Sequence, residues 1–204
     1  MITKLDPAQY RRTPWKNGGG TTVDIAGQDD LWRFGRTPIT TPGPFSGYSG
    51  FDRLQVLIAG RGLVLETPDG EIDVRVPFRP VRFKGETPIQ SRLEAGAVEV
   101  VNLIGARAAV QIALVVLRPG DRQAVEAGTH IAYAAEEAAL EIDGARHRLA
   151  VDHALRIAVQ HPTMIAGTGG VLLLGSVLCA LMYFAETPEW HDVSKRFISW
   201  YLWQ

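Results

Sequence analysis

Cysteine is nearly missing from this 204-residue chain: Cys179 stands alone. It cannot close an intrachain disulfide, so nothing points to an oxidising compartment. Histidine is scarce before the last third. His130, His147, His153, His161 and His191 include no His-x-His pair, and none precedes residue 130. Without such a cluster no catalytic metal and no cofactor is expected. Neither sign of charge dominates: 21 Lys and Arg face 22 Asp and Glu, for a net charge of −1. No basic cluster tracks a phosphate backbone, so no nucleic acid partner is expected. A Gly-x-Ser-x-Gly nucleophile elbow is absent. The triple glycine at 18–20 lacks the Lys-Ser/Thr ending of a phosphate loop. Met1 to Arg12 holds no apolar h-region, so no signal peptide is expected and the cytoplasm is the expected location. Long amphipathic helical patterns are lacking before residue 160.

What is present reads as all-β. Apolar residues make up 46% of the chain, enough for a substantial core. Short apolar or alternating runs are separated by Gly, Pro and Asp-Gly turns. The runs fall at 21–26, 31–37, 53–59, 62–67, 71–75, 81–83, 89–93, 98–104, 110–117, 129–134, 138–142, 147–150 and 155–158. Asp6–Tyr10 has the pattern of one helical turn. Asp69-Gly70 and Asp143-Gly144 are the strongest hairpin signals, and they belong to an internal repeat. From the aspartate to Arg82 or Arg156 the spacing is 13 residues in each copy. Val56-Leu57-Ile58 and His130-Ile131-Ala132 lie at matching offsets upstream. Two copies of one β unit predict a duplicated antiparallel barrel or jelly roll, which hides sheet edges by curling. The expected division is 1–105, 106–178 and an extension at 179–204.

The end of the chain carries no charge from Pro162 to Ala185. A membrane helix needs about 20 apolar residues. Gly167, Gly169 and Gly170 interrupt this run, so a buried strand or helix is preferred and a membrane span is the alternative. Glu189–Gln204 reads as a short amphipathic helix with Phe197, Trp200 and Tyr201 on one face.

Two clusters carry recognition chemistry. Trp15, Lys16 and Asn17 precede Gly18, Gly19 and Gly20, and Thr21 and Thr22 follow. An aromatic face, a cation, an amide and a permissive backbone suit a small polar ligand. A loop whose tryptophan caps the core is the alternative. In the second cluster, alternation puts Arg33 on one strand face and Trp32, Phe34 and Arg36 on the other. A loop with Phe45, Ser46 and Tyr48 leads to Asp52 and Arg53. Arg33, Arg36 and Arg53 are candidates for a bidentate grip on a carboxylate. The competing reading has Asp52 pinning the loop through one of these arginines. Asn102, a lone polar residue in the run 98–104, either satisfies a buried backbone group or faces a cavity.

These residues resemble the HutD/Ves family. The matching pieces are Pro14-Trp15-Lys16-Asn17-Gly18-Gly19-Gly20-Thr21-Thr22, Trp32-Arg33, Gly43-Pro44-Phe45-Ser46, Gly50-Phe51-Asp52-Arg53, Gly60-x-Gly62, Phe83-x-Gly85 and Asn102. The resemblance covers about residues 5–160, more loosely in the later half. It implies a cupin fold (an RmlC-like jelly roll) in a two-barrel, bicupin arrangement without a metal-binding His motif. It implies association with histidine utilisation and binding of a formimino- or formylglutamate-type intermediate. It places the ligand near Trp15, Lys16, Asn17, Arg33, Ser46, Asp52 and Arg53. One departure stands out: after Trp32-Arg33 the family shows a Ser-x-Ala type stretch, and this chain has Phe34-Gly35-Arg36-Thr37.

The resulting expectation is a metal-free cupin protein that senses a small acidic metabolite and moderates histidine utilisation. Its expected partner is that metabolite, with a homodimer left open. The rival is a metal-independent cupin isomerase or hydrolase acting on a small polar acid, with Lys16 or Asp52 as acid or base. Turnover of formylglutamate or formiminoglutamate distinguishes the two. A third reading has the glycine loop docking a protein.

Overall fold

The computed structural model describes residues 1–15, 19–28 and 30–179. The expected terminal helix at 189–204 lies outside the described residues. Among the described residues the chain is built from strands, with one 3-10 turn at Pro7–Gln9. Asp6 caps that turn by accepting from the Ala8 N–H at 2.8 Å. No helix among the described residues is long and apolar enough to cross a membrane.

The strands in chain order are β1 (Ile2–Leu5), β2 (Arg11–Pro14), β3 (Thr21–Gln28), β4 (Trp32–Ile39), β5 (Gly43–Pro44) and β6 (Phe51–Ala59). Then come β7 (Leu63–Thr67), β8 (Gly70–Asp73), β9 (Val81–Lys84), β10 (Gln90–Leu93), β11 (Val98–Ala106) and β12 (Val110–Leu117). The rest are β13 (Arg122–Val125), β14 (Gly128–Ala134), β15 (Ala138–Ile142), β16 (Ala145–Leu149), β17 (Ala154–Val159), β18 (Thr163–Gly169) and β19 (Leu172–Cys179). The uncharged run after Pro162 is therefore strand up to Cys179. At the second hairpin Asp143 (φ 48°) and Gly144 (φ 79°) are both left-handed, as a tight two-residue turn requires. The first hairpin differs from expectation by one residue. Thr67 pairs with Gly70, so Pro68 and Asp69 form the turn and Gly70 opens the next strand.

Among the described residues the strands form four antiparallel sheets. A six-stranded sheet has the order β2-β3-β4-β11-β6-β9 and faces a four-stranded sheet, β5-β10-β7-β8. A five-stranded sheet, β1-β17-β14-β19-β12, faces another four-stranded sheet, β13-β18-β15-β16. Each facing pair encloses an apolar core: Leu57, Leu63, Leu65 and Val100 in the first, Leu140, Leu155, Ile157 and Ile165 in the second. A third core joins the two large sheets back to back through Phe34, Leu103, Ile131 and Tyr133. This explains why β11 reads as an almost unbroken apolar run: Val100 faces one core and Val101 the other. At the same junction Gly175 lets Phe34 approach; an added Cβ would stand 2.9 Å from the ring.

Strand pairing recurs between the halves. β6 pairs with β9 and β11, and β7 with β8 and β10. Likewise β14 pairs with β17 and β19, and β15 with β16 and β18. Arg82, Leu54, Leu103 and Phe34 form one cross-strand row. Arg156, Ile131, Gly175 and Leu114 form the matching row. The N-terminal strand crosses the division expected near residue 105, because β1 pairs with β17 of the second half.

Candidate functional site

Between the six-stranded sheet and its partner, one cavity gathers Trp15, Arg33, Phe45, Ser46, Arg53 and Asn102. It also takes in Thr22 and Tyr48, which the sequence set beside the two clusters, and Gln55 and Thr37, which sequence reasoning did not single out. The enclosed space is narrow, about 40 Å³. A groove of about 530 Å³ adjoins it across Arg33 and Tyr48 and is lined by Arg11, Asp24 and Phe51.

Strand alternation builds the cavity. Arg53 and Gln55 lie two residues apart on β6, so both face inward, while Leu54 and Val56 face the junction between the large sheets. Ile104 pairs with Arg53 on one side and Arg33 on the other, and Asn102 stands likewise between Gln55 and Gly35.

Arg53 is the centre of the site. It is only 7% exposed. Its Nη2 donates to Asn102 Oδ1 at 3.2 Å and its Nη1 to the Ser46 carbonyl at 3.4 Å. The guanidinium lies over Phe83, Phe45 and Tyr48, with centroids at 5.0, 5.2 and 5.6 Å. Nε has no hydrogen-bond partner, and no carboxylate among the described residues pairs with this cation. Burial pushes its pKa down to about 10, with Tyr48 opposing the fall and Arg33 adding to it. It remains charged at neutral pH, so this is a desolvated cation held by neutral dipoles and aromatic faces.

Arg33 is different because it has a counterion. Its Nε lies 3.4 Å from Asp24 Oδ1, and its Nη2 donates to the Tyr48 hydroxyl at 2.9 Å. Asp24 also accepts from Thr13 Oγ1 at 2.5 Å and lies 3.5 Å from Arg11. Trp15 also walls the cavity. Its Nε1 donates to Thr22 Oγ1 at 3.1 Å, and Thr22 and Thr37 share a hydrogen bond of 3.0 Å. Gly20 is needed beside it, since a Cβ there would sit 3.0 Å from the indole ring.

Gln55 is wholly buried, and neither Nε2 nor Oε1 has a partner. Each unpaired buried polar group costs about 1–3 kcal/mol. The repeated pairing supplies an internal comparison. In the second half Ala132, Leu174 and Val115 occupy the row that Gln55, Asn102 and Gly35 occupy in the first. The sheet therefore packs well with aliphatic residues in that row. Arg53 corresponds to His130, whose ring is satisfied: Nε2 donates to the Glu126 carbonyl at 3.0 Å and Nδ1 accepts from Ser176 at 2.8 Å. Burial pushes the His130 pKa down, against the hydrogen bond to Glu126.

The remaining candidates lie elsewhere. Arg36 is on the opposite face of β4, where Nε and Nη2 grip Asp152 at 2.7 and 2.8 Å and Nη1 meets Glu99 at 2.6 Å. Burial opposes its charge, but the hydrogen bonds to Asp152 and Glu99 hold its pKa above the ordinary value. Asp52 is also outside the lining. It does pin its loop, through Arg107 at 2.7 Å and Arg82 at 3.2 Å and not through the arginines expected. Thr21 opens β3 opposite Pro14 and Gly19 is exposed; neither lines the cavity. Lys16, Asn17 and Gly18 lie outside the described residues. Among the described residues no group of three His, Cys, Asp or Glu is placed to hold a metal ion.

Fold and site together define an all-β protein of the cupin type with a cationic, aromatic-walled cavity in its N-terminal half. The chain belongs to the HutD family, whose model matches residues 7–173. An uncharacterized 21.2 kDa protein in the hutC 3′ region of Pseudomonas putida is 33% identical over 110 residues, 51% of this chain and 58% of that protein. Protein Ves of Escherichia fergusonii is 31% identical over 87 residues, 40% of this chain and 46% of that protein. The chain thus spans about half the length of the curated relatives it matches. HutD from Pseudomonas fluorescens SBW25 superposes with a TM-score of 0.76 at 23% identity, over 88% of this chain and 99% of that one. At that identity the likeness is one of fold.

Proposed function

We propose that this chain binds a small carboxylate-bearing metabolite in the Arg53 cavity and moderates histidine utilisation as a sensor, without turning the ligand over. The observation that carries the reading is Arg53 itself: a buried guanidinium with a free Nε and no carboxylate partner among the described residues. A buried cation without a counterion is expensive unless an anion joins it. Membership of the HutD family and the hutC-region relative support the link to histidine utilisation, and the ligand proposed is of the formimino- or formylglutamate type. The enzymatic alternative has less support. Asp52 is committed to Arg82 and Arg107, and the described lining holds no carboxylate, imidazole or thiol.

Calorimetric titration with N-formylglutamate and formiminoglutamate tests the reading. Saturable binding of at least one of the two, without product, is the expected result. Arg53→Met should weaken it roughly 10- to 100-fold, the value of a charged hydrogen bond. The same change should leave stability unchanged or higher, because an apolar side chain replaces an uncompensated charge. No binding by the wild type defeats the reading, and accumulation of product replaces it with the enzymatic one.

A further inference from the structure

We propose that Gln55 makes the cavity selective for a ligand bearing a carboxamide-type edge, one N–H donor beside one C=O acceptor, in addition to its carboxylate. This rests on the ligand-binding reading above. Gln55 lines the cavity two residues from Arg53, is shut off from solvent, and leaves both its donor and its acceptor unpaired. Buried amides ordinarily satisfy both groups. Its neighbour across the strand, Asn102, has already given its oxygen to Arg53. The next position in the row is Gly35, which carries no side chain to answer Gln55. The second half of the fold fills the Gln55 and Asn102 positions with Ala132 and Leu174, so the architecture does not demand an amide here.

The chemistry of the unpaired edge selects among anions. A carboxylate offers acceptors only; it can accept from Nε2 but sets negative oxygen against Oε1. A formimino group, protonated at neutral pH, offers donors only and would enter the field of Arg33 and Arg53. A carboxamide answers both atoms at once in a reciprocal pair, while the ligand's carboxylate stays with the guanidiniums. The narrow inner cavity suits one such planar group, and the adjoining groove takes the remainder of a longer molecule.

Succinamate and succinate differ only in the group that would face Gln55, and titrating each into the full chain tests the proposal. The wild type should bind succinamate at least roughly tenfold more tightly than succinate. Gln55→Leu should bring the ratio close to unity while succinate binding persists; Gln55→Met serves if the leucine variant does not fold. A wild-type ratio at or below unity, or a preference that survives loss of Gln55, overturns the proposal. If both ligands bind equally and both are lost in Arg53→Met, only the amide selectivity falls. If neither binds the wild type while N-formylglutamate does, the amide selectivity falls and the ligand-binding reading stands; if none of the three binds, both fall.

Discussion

Gly35 shows how one missing methyl group shapes the site. An added Cβ would stand 2.7 Å from the Val23 carbonyl oxygen and 3.1 Å from Thr22 Cγ2. The nearer atom is backbone in the adjacent strand and cannot swing aside. Gly35→Ala should therefore lower stability by about 1–3 kcal/mol, the usual penalty of overpacking, read as a shift in the urea midpoint. An unchanged midpoint would mean that β3 and β4 separate freely. At this scale much of the cavity was legible. Trp15, Arg33, Phe45, Ser46, Arg53 and Asn102 converge as residue types suited to one polar ligand. Gln55 left a readable trace: it shares a strand face with Arg53 inside an otherwise apolar run. Thr37 left none, since hydroxyls on strands are common and only the fold brings it to Thr22 of the glycine cluster. Arg36 was legible in half. Alternation puts it on the face of Trp32 and Phe34, away from the cavity, but its partner Asp152 is 116 residues distant and no local pattern announces it.

That distant pairing matters for whole elements. Asp152 lies in the turn before β17 with φ 69°, and it ties β4 and β14 to the N-terminal segment, while Arg36 also reaches Glu99 of β11. Its side chain accepts from Tyr133 at 2.9 Å, and its backbone carbonyl accepts from Tyr10 at 2.8 Å. Burial, then the nearby Asp152 charge, hold both phenols above the ordinary tyrosine pKa. An unfolded phenol loses its proton near pH 10. Above that pH the unfolded chain binds fewer protons than the folded one, so stability falls as pH rises. Below it this contribution is complete. Urea midpoints at pH 8 and pH 10.5 should show the loss, and Tyr133→Phe should shrink it. An equal drop in wild type and variant would remove Tyr133 from the linkage. Strands with a strong alternating or apolar pattern, such as β6, β11 and β12, were legible. The β2, β5 and β13 strands were not, because short or proline-bearing edge segments carry little periodic signal. The pair β18 and β19 was ambiguous between strand and helix, since both are short and uncharged and β19 is largely buried.

Across the whole molecule, strand pairing recurs between the halves, and the sequence carries matching turns and spacings but not the register of that pairing. The equal 13-residue spacings match Val56 to His130, whereas the strand rows match Leu54 to Ile131 and hence Arg53 to His130. A change in loop length between copies is invisible to counting and is settled only by pairing. The same holds for β1, which leaves the first half to cover the edge of β17. Ile2 pairs with Ile157 and Leu5 with Ala154, and Leu5 packs against the core between the large sheets. Nothing local in Ile2–Leu5 identifies β17 as its neighbour, because edge pairing depends on which strand lies uncovered after the sheets form. Deleting residues 1–5 should expose the β17 edge beside the buried Ile157. Lost backbone pairing and the burial of Leu5 together predict a stability decrease of roughly 2–4 kcal/mol. An uncovered edge next to an apolar core also invites pairing between molecules, so the shortened protein should form concentration-dependent oligomers on size exclusion. An unaltered urea midpoint and elution volume would show that the five-stranded sheet is complete without its first strand. Ligand binding at Arg53 should persist in the shortened protein, because the cavity is framed by β3, β4, β6 and β11 and none of these pairs with β1.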